Sequence, residues 1–288
     1  MANKIKSPAE ILEAAGNAIE TAVDKAGDGV EALAGKASDA KERIDKARFG
    51  PVFDLDQIAD NMPQVIYVED NQRLKNVPAC KGAFGFIEKL KGMQVMRLLP
   101  KYIGLPGIKF YPDTDGVLYF QDPCDDHLYI DINDYFDYLN AVRVNELELI
   151  AQDLGAKHVK VVYRESRKIF VDNDAKADDP DEYSFTEVFT DDVYDAGDAP
   201  TAPALQYLAN DPSISSLIER RLDSGLNNEQ SIDKEAYTIP CKTLDGMSVD
   251  DAVKLDAIIK TLKLKGNASV TSAAEALERA VLEYSIEF

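Results

Sequence analysis

Asp131 to Tyr163 reads DINDYFDYLNAVRVNELELIAQDLGAKHVKVVY, and this stretch decides the fold class. Tyr135, Phe136, Leu139, Val142, Leu147, Ile150 and Leu154 recur at helical spacing, Asp131 stands where an N-cap belongs, and Gly155 supplies a C-terminal stop. His158 to Tyr163 then alternates as a strand. Before this stretch lie short strand-like runs, Gln64 to Val68, Ala83 to Ile87, Met93 to Leu98 and Val117 to Phe120, punctuated by Pro and Gly. After it the pattern is helical. Asp211-Pro212 opens one helix through Ile214, Leu217, Ile218 and Leu222, and Ser248 with Asp251 opens another through Val253, Ile258, Ile259 and Leu262. Ser272 and Glu275 box a third, ending near Phe288. Strands clustered centrally with helices at both ends predict an α+β fold: a long amphipathic N-terminal helix, a central strand-rich region with one clear helix, and C-terminal helices.

The N-terminal helix is read from an eleven-residue period. Ile11, Ala22, Leu33 and Ile44 form one series, Ala15, Ala26 and Ala37 a second, and Ile19 and Val30 begin a third that Lys41 breaks. Eleven residues make three turns at about 3.67 residues each, so these positions hold one face of a nearly straight helix. Ser7 as N-cap, Pro8 at the first helical position and Glu10 mark the start, and Phe49-Gly50-Pro51 marks the end. Such a stripe predicts an interaction face, with Ile11, Ile19, Ala22, Ala26, Val30, Leu33, Ala37 and Ile44 as its contact residues. Segments such as Ala18-Ile19-Glu20-Thr21-Ala22-Val23-Asp24-Lys25-Ala26 resemble the amphipathic repeats of apolipoprotein, synuclein and late-embryogenesis-abundant proteins, a likeness confined to residues 9–48. The resemblance implies reversible contact with a membrane surface; alanine dominates the stripe, which makes that contact weak.

The predicted organisation is an arm over residues 1–49, an α+β core over 50–171, an acidic loop or linker over 172–200 and a helical region over 201–288. The chain carries 52 acidic against 32 basic residues, a formal net charge of −20. The excess is regional: residues 101–200 hold 23 acidic side chains and nine basic ones, and residues 172–200 hold eleven acids against Lys176 alone. Tyr183, Phe185, Val188 and Phe189 interrupt that acidic run, so it reads as a long excursion flanking one strand. A field of this sign repels nucleic-acid backbones and attracts a basic protein, a polyamine or a divalent cation. Direct binding of nucleic acid is therefore not expected.

Chemistry-bearing patterns are sparse. Cys80, Cys124 and Cys241 are odd in number and far apart, against a disulfide framework and in keeping with a reducing, cytoplasmic setting. Cys124, Asp125, Asp126 and His127 place several potential ligands within four residues, but the only other histidine is His158, so the second ligand pair of a zinc site is missing. Asp172, Asp174 and Asp178 lack the glycine and closing glutamate of a calcium loop. There is no Gly-x-Ser-x-Gly elbow, and Gly82, Gly85 and Gly92 form no phosphate-binding fingerprint. The sequence thus points to no catalytic residue, no metal ligand and no cofactor. It points to an interaction protein that binds a protein partner or a second copy of itself.

Overall fold

The computed structural model describes residues 50–54, 62–71, 78–104, 107–168, 182–194, 200–224, 234–264 and 269–288, with Ala40, Arg43 and Asn76. It is a mixed α+β structure built on two sheets. The first has seven strands: β1 (Pro51–Val52), β2 (Val65–Val68), β3 (Gly85–Leu90), β4 (Met93–Leu98), β5 (Lys109–Tyr111), β6 (Leu118–Gln121) and β7 (Leu128–Asp131). Their order is β1-β3-β4-β2-β6-β7-β5, with β2 parallel to β4, β5 parallel to β7, and the other pairs antiparallel. Lys91 and Gly92, both at positive φ, turn β3 into β4, which is the backbone a tight hairpin requires.

β2 explains why this sheet is central. All four of its residues, Val-Ile-Tyr-Val, are buried, so it is covered on both faces. Val65 and Tyr67 join Val95, Leu118, Phe120 and Ile130 beneath the helices, while Ile66 and Val68 join Met96, Leu98, Tyr119 and Tyr129 on the reverse. A strand buried on both sides reads as a continuous apolar run rather than an alternation.

The second sheet is antiparallel throughout, formed by β8 (His158–Lys168), β9 (Glu182–Val193), β10 (Lys234–Pro240) and β11 (Ala280–Glu287) in the order β10-β11-β8-β9. Four α-helices among the described residues cover the sheets: α1 (Tyr135–Asp153), α2 (Pro212–Ser224), α3 (Val249–Leu262) and α4 (Val270–Glu278). α1 joins the two cores. Tyr135 and Leu139 near its start pack with β2, β6 and α3, whereas Leu147, Ile150 and Leu154 near its end pack with β8, β11 and α2. Nineteen residues at 1.5 Å each give it roughly 28 Å, enough to reach both.

The expected architecture needs correction in two places. The predicted N-terminal helix, with Ile11, Ile19, Ala22, Ala26, Val30, Leu33, Ala37 and Ile44, lies outside the described residues, and the described body is a strand-rich one without a long N-terminal helix. The C-terminal region is not wholly helical, because β10 and β11 lie within it. The last expected helix ends at Glu278, and Ala280, Leu282, Tyr284 and Ile286 then alternate inward as the strand between β10 and β8. Burial of that alternating face against α1 outweighs the helical run preceding it. The start of α4 also differs: Ser269, accepting the Ser272 N–H, is its cap, and Ser272 lies inside the first turn. Elsewhere the elements fall close to expectation. Ser248 caps α3 by accepting the Asp251 N–H, Asp211 accepts the N–H groups of Ser213 and Ile214 at the start of α2, and Gly155 ends α1 at φ 70°.

A candidate acidic cavity beside the long helix

A cavity of about 580 Å³ opens where the end of β6, the start of α1 and the approach to α3 meet, lined in part by Asp122, Cys124, Asp126, Tyr135, Asp245 and Asp251. Four carboxylates border it, and no Lys or Arg belongs to its described lining. Gln64 and Asp251 also border an adjoining cavity of about 440 Å³, which Met62, Pro63, Met93 and Lys254 help to line.

The turn that supplies Asp122 is built by that residue's own side chain. Its Oδ1 accepts the N–H groups of Cys124 at 2.7 Å and Asp125 at 2.9 Å, so the chain folds back from β6 into β7. Its Oδ2 accepts the Tyr207 hydroxyl at 2.9 Å, and the Tyr138 hydroxyl lies 3.4 Å from that of Tyr207. Cys124, Asp125, Asp126 and His127 thus form the hairpin turn between β6 and β7, and no group of three or more His, Cys, Asp or Glu suited to a metal ion occurs among the described residues. Asp131, expected as the helix cap, lies in β7 and holds Asn133, whose N–H it accepts at 3.0 Å; the cap position belongs to Asp134.

A second carboxylate fixes a neighbouring segment. Glu146, on α1 and only 6% exposed, accepts the backbone N–H groups of Gln206, Tyr207 at 2.8 Å and Leu208 at 3.1 Å. This clamps segment 206–208 to the helix, and Cys124 reaches the same segment by donating its thiol to the Gln206 carbonyl at 3.6 Å. Burial, followed by the neighbouring charges of Asp122, Asp245 and Glu146, pushes the Cys124 thiol up to about 11. A thiol so protonated at neutral pH is a poor nucleophile.

Beneath the cavity lies Arg143, fully buried on α1. Its Nη2 donates to the Asp245 carbonyl at 2.8 Å, while Nε and Nη1 have no hydrogen-bond partner among the described residues. Gly246 packs directly over it: a methyl group at that position would sit 3.5 Å from Nη2 and 3.3 Å from Leu139 Cδ1. Burial lowers the Arg143 pKa. At the other margin, burial acts to raise the Asp251 carboxyl, but hydrogen bonds from Lys254 and Ser248 outweigh it and hold the group below the usual carboxylate range. That is opposite to the upward shift of a general acid.

The residues expected to form an interaction face all lie outside the described residues. The sequence reading named Cys124 and Asp126 but not Tyr135, Asp245, Gly246 or Arg143 as their neighbours. One signal was present: Arg143 occupies the stripe that Leu139, Leu147 and Ile150 define, where a charged side chain stands out. No family model, curated protein or solved structure matches this chain. The fold and the site therefore define only a two-sheet α+β protein with an acidic cavity at its seam.

Proposed function

We propose that this is a non-enzymatic interaction protein that binds a basic protein partner through the cavity beside α1. One observation carries the reading: Asp122, Asp126, Asp245 and Asp251 converge on a single concavity without a lysine or arginine in its described lining. A lysine or arginine side chain entering there meets several carboxylates at once, and the regional acidity of residues 101–200 steers it inward. Asp126 and Asp245 are the exposed members, available to a visitor without unfolding the turn that Asp122 holds. Affinity capture from the native cell with wild-type bait and with an Asp126→Asn/Asp245→Asn bait tests this. A basic protein retained by the first and lost by the second supports the proposal; the same proteins on both baits would overturn it.

A further inference from the structure

The carboxylates account for the sign of the occupant's charge and leave the cavity floor unexplained. Tyr135 lines the cavity yet is 0% exposed. The Met247 backbone N–H points at its oxygen, and the hydroxyl's own proton has no acceptor among the described residues. A buried donor left unmet is costly, and an acceptor that parts the groups over the floor and reaches this hydroxyl removes that cost. The floor asks for an oxygen while the rim asks for a cation.

We infer that the cavity receives a protonated α-amine together with the carbonyl oxygen of the same residue, the chemistry of a free peptide N-terminus or an amino-acid amide. This rests on the reading of the acidic cavity above and specifies which part of the partner enters. A lysine or arginine side chain brings charge but no acceptor for Tyr135. A free carboxylate brings an acceptor but is repelled by Asp122, Asp126, Asp245 and Asp251. An α-ammonium beside an amide carbonyl brings both, with the ammonium against the carboxylates and the carbonyl oxygen accepting from the Tyr135 hydroxyl. The chain beyond the first residue continues towards the adjoining cavity of about 440 Å³, where Met62, Pro63 and Met93 offer apolar surface.

Calorimetric titration of the full chain with four probes tests the inference: Ala-Ala-Ala-amide, its N-acetylated form, butylamine and alaninamide. The tripeptide amide is expected to bind at least about tenfold more tightly than the acetylated form, which lacks the cation, and than butylamine, which lacks the carbonyl. Alaninamide distinguishes the sources: binding equal to that of the tripeptide assigns the site to a single residue, and weaker binding assigns it to a peptide terminus. Tyr135→Phe, which keeps the ring, is expected to reduce tripeptide binding to the level of butylamine. Should that variant fail to fold, a tripeptide-induced shift of the Tyr135 ring carbons in the wild-type NMR spectrum is the expected alternative readout. Equal binding of the acetylated peptide, an unmoved Tyr135 resonance, or no binding of the tripeptide at millimolar concentration would overturn the inference. If butylamine and lysine-rich peptides bind as well as the tripeptide amide, the acidic-cavity reading stands and this inference falls; if neither amine nor basic peptide binds, both fall.

Discussion

Two buried charged residues three positions apart on α1 have opposite consequences. Glu146 is satisfied by three backbone N–H groups, whereas among the described residues Arg143 has one hydrogen bond and two nitrogens without a partner. Removing the carboxylate strands three donors, so Glu146→Ala is expected to destabilise the protein by about 3 kcal/mol or more, read from urea unfolding. Replacing the guanidinium with an apolar side chain of similar length removes an unpaired buried charge, so Arg143→Met is expected to leave stability unchanged or raise it by about 1 kcal/mol. A large loss in that variant would mean that Arg143 has a partner in solution. Tyr135→Phe belongs with it: the hydroxyl proton meets no acceptor among the described residues, so the melting temperature is expected to stay within a few degrees of wild type. Arg143 was the residue most open to being read from sequence, as a charge within an apolar stripe. Glu146 gave no such sign, because its donors lie sixty residues along the chain.

At the scale of elements, most of what was legible depended on local chemistry. Ser248, Asp211 and Gly155 each bound a helix in a way that neighbouring residues reveal. β11 shows the limit, for its inward Leu282, Tyr284 and Ile286 follow α4 with only Arg279 between the two elements, so a period of 3.6 passes into a period of two almost without punctuation. β11 separates β10 from β8, and ending the chain at Arg279 is expected to abolish cooperative thermal unfolding; a truncated protein with a sharp transition would contradict that role. The start of α4 is held by Asp256 on α3, which accepts from Ser269, Thr271 and the Val270 N–H. Burial acts to raise this carboxyl, but those hydrogen bonds outweigh it and lower its pKa. A carboxylate depressed in the folded state stabilises above its unfolded pKa of about 4, and that stability is lost as the pH falls through the lower, folded value. Asp256→Asn is therefore expected to be less stable than wild type at pH 7, with the gap closing below about pH 4, measured by denaturant melts across pH.

For the whole molecule, α1 is the common wall of two cores, and the cavity at its start is assembled from stretches more than a hundred residues apart. Sequence patterns report spacing within an element, so strands, turns and caps could be anticipated, but the convergence of Gln64, Asp122 and Asp245 could not. The eleven-residue period was the most conspicuous pattern in the chain, yet the described fold is organised by the apolar run of β2 and the stripe of α1. Net charge conveyed the regional acidity but not its division between structure and surface. Glu146 spends its oxygens on backbone N–H groups and Asp122 on two backbone N–H groups and the Tyr207 hydroxyl, while Asp126 and Asp245 remain exposed at the mouth. The most direct measurement is titration of a lysine-rich peptide with a free N-terminus into wild-type protein and into Asp126→Asn/Asp245→Asn, at low and at physiological ionic strength. The expected result is saturable binding to wild type, weakened about tenfold or more by the double substitution and weakened again by salt; equal affinity for the two proteins, or no binding to either, would contradict the account.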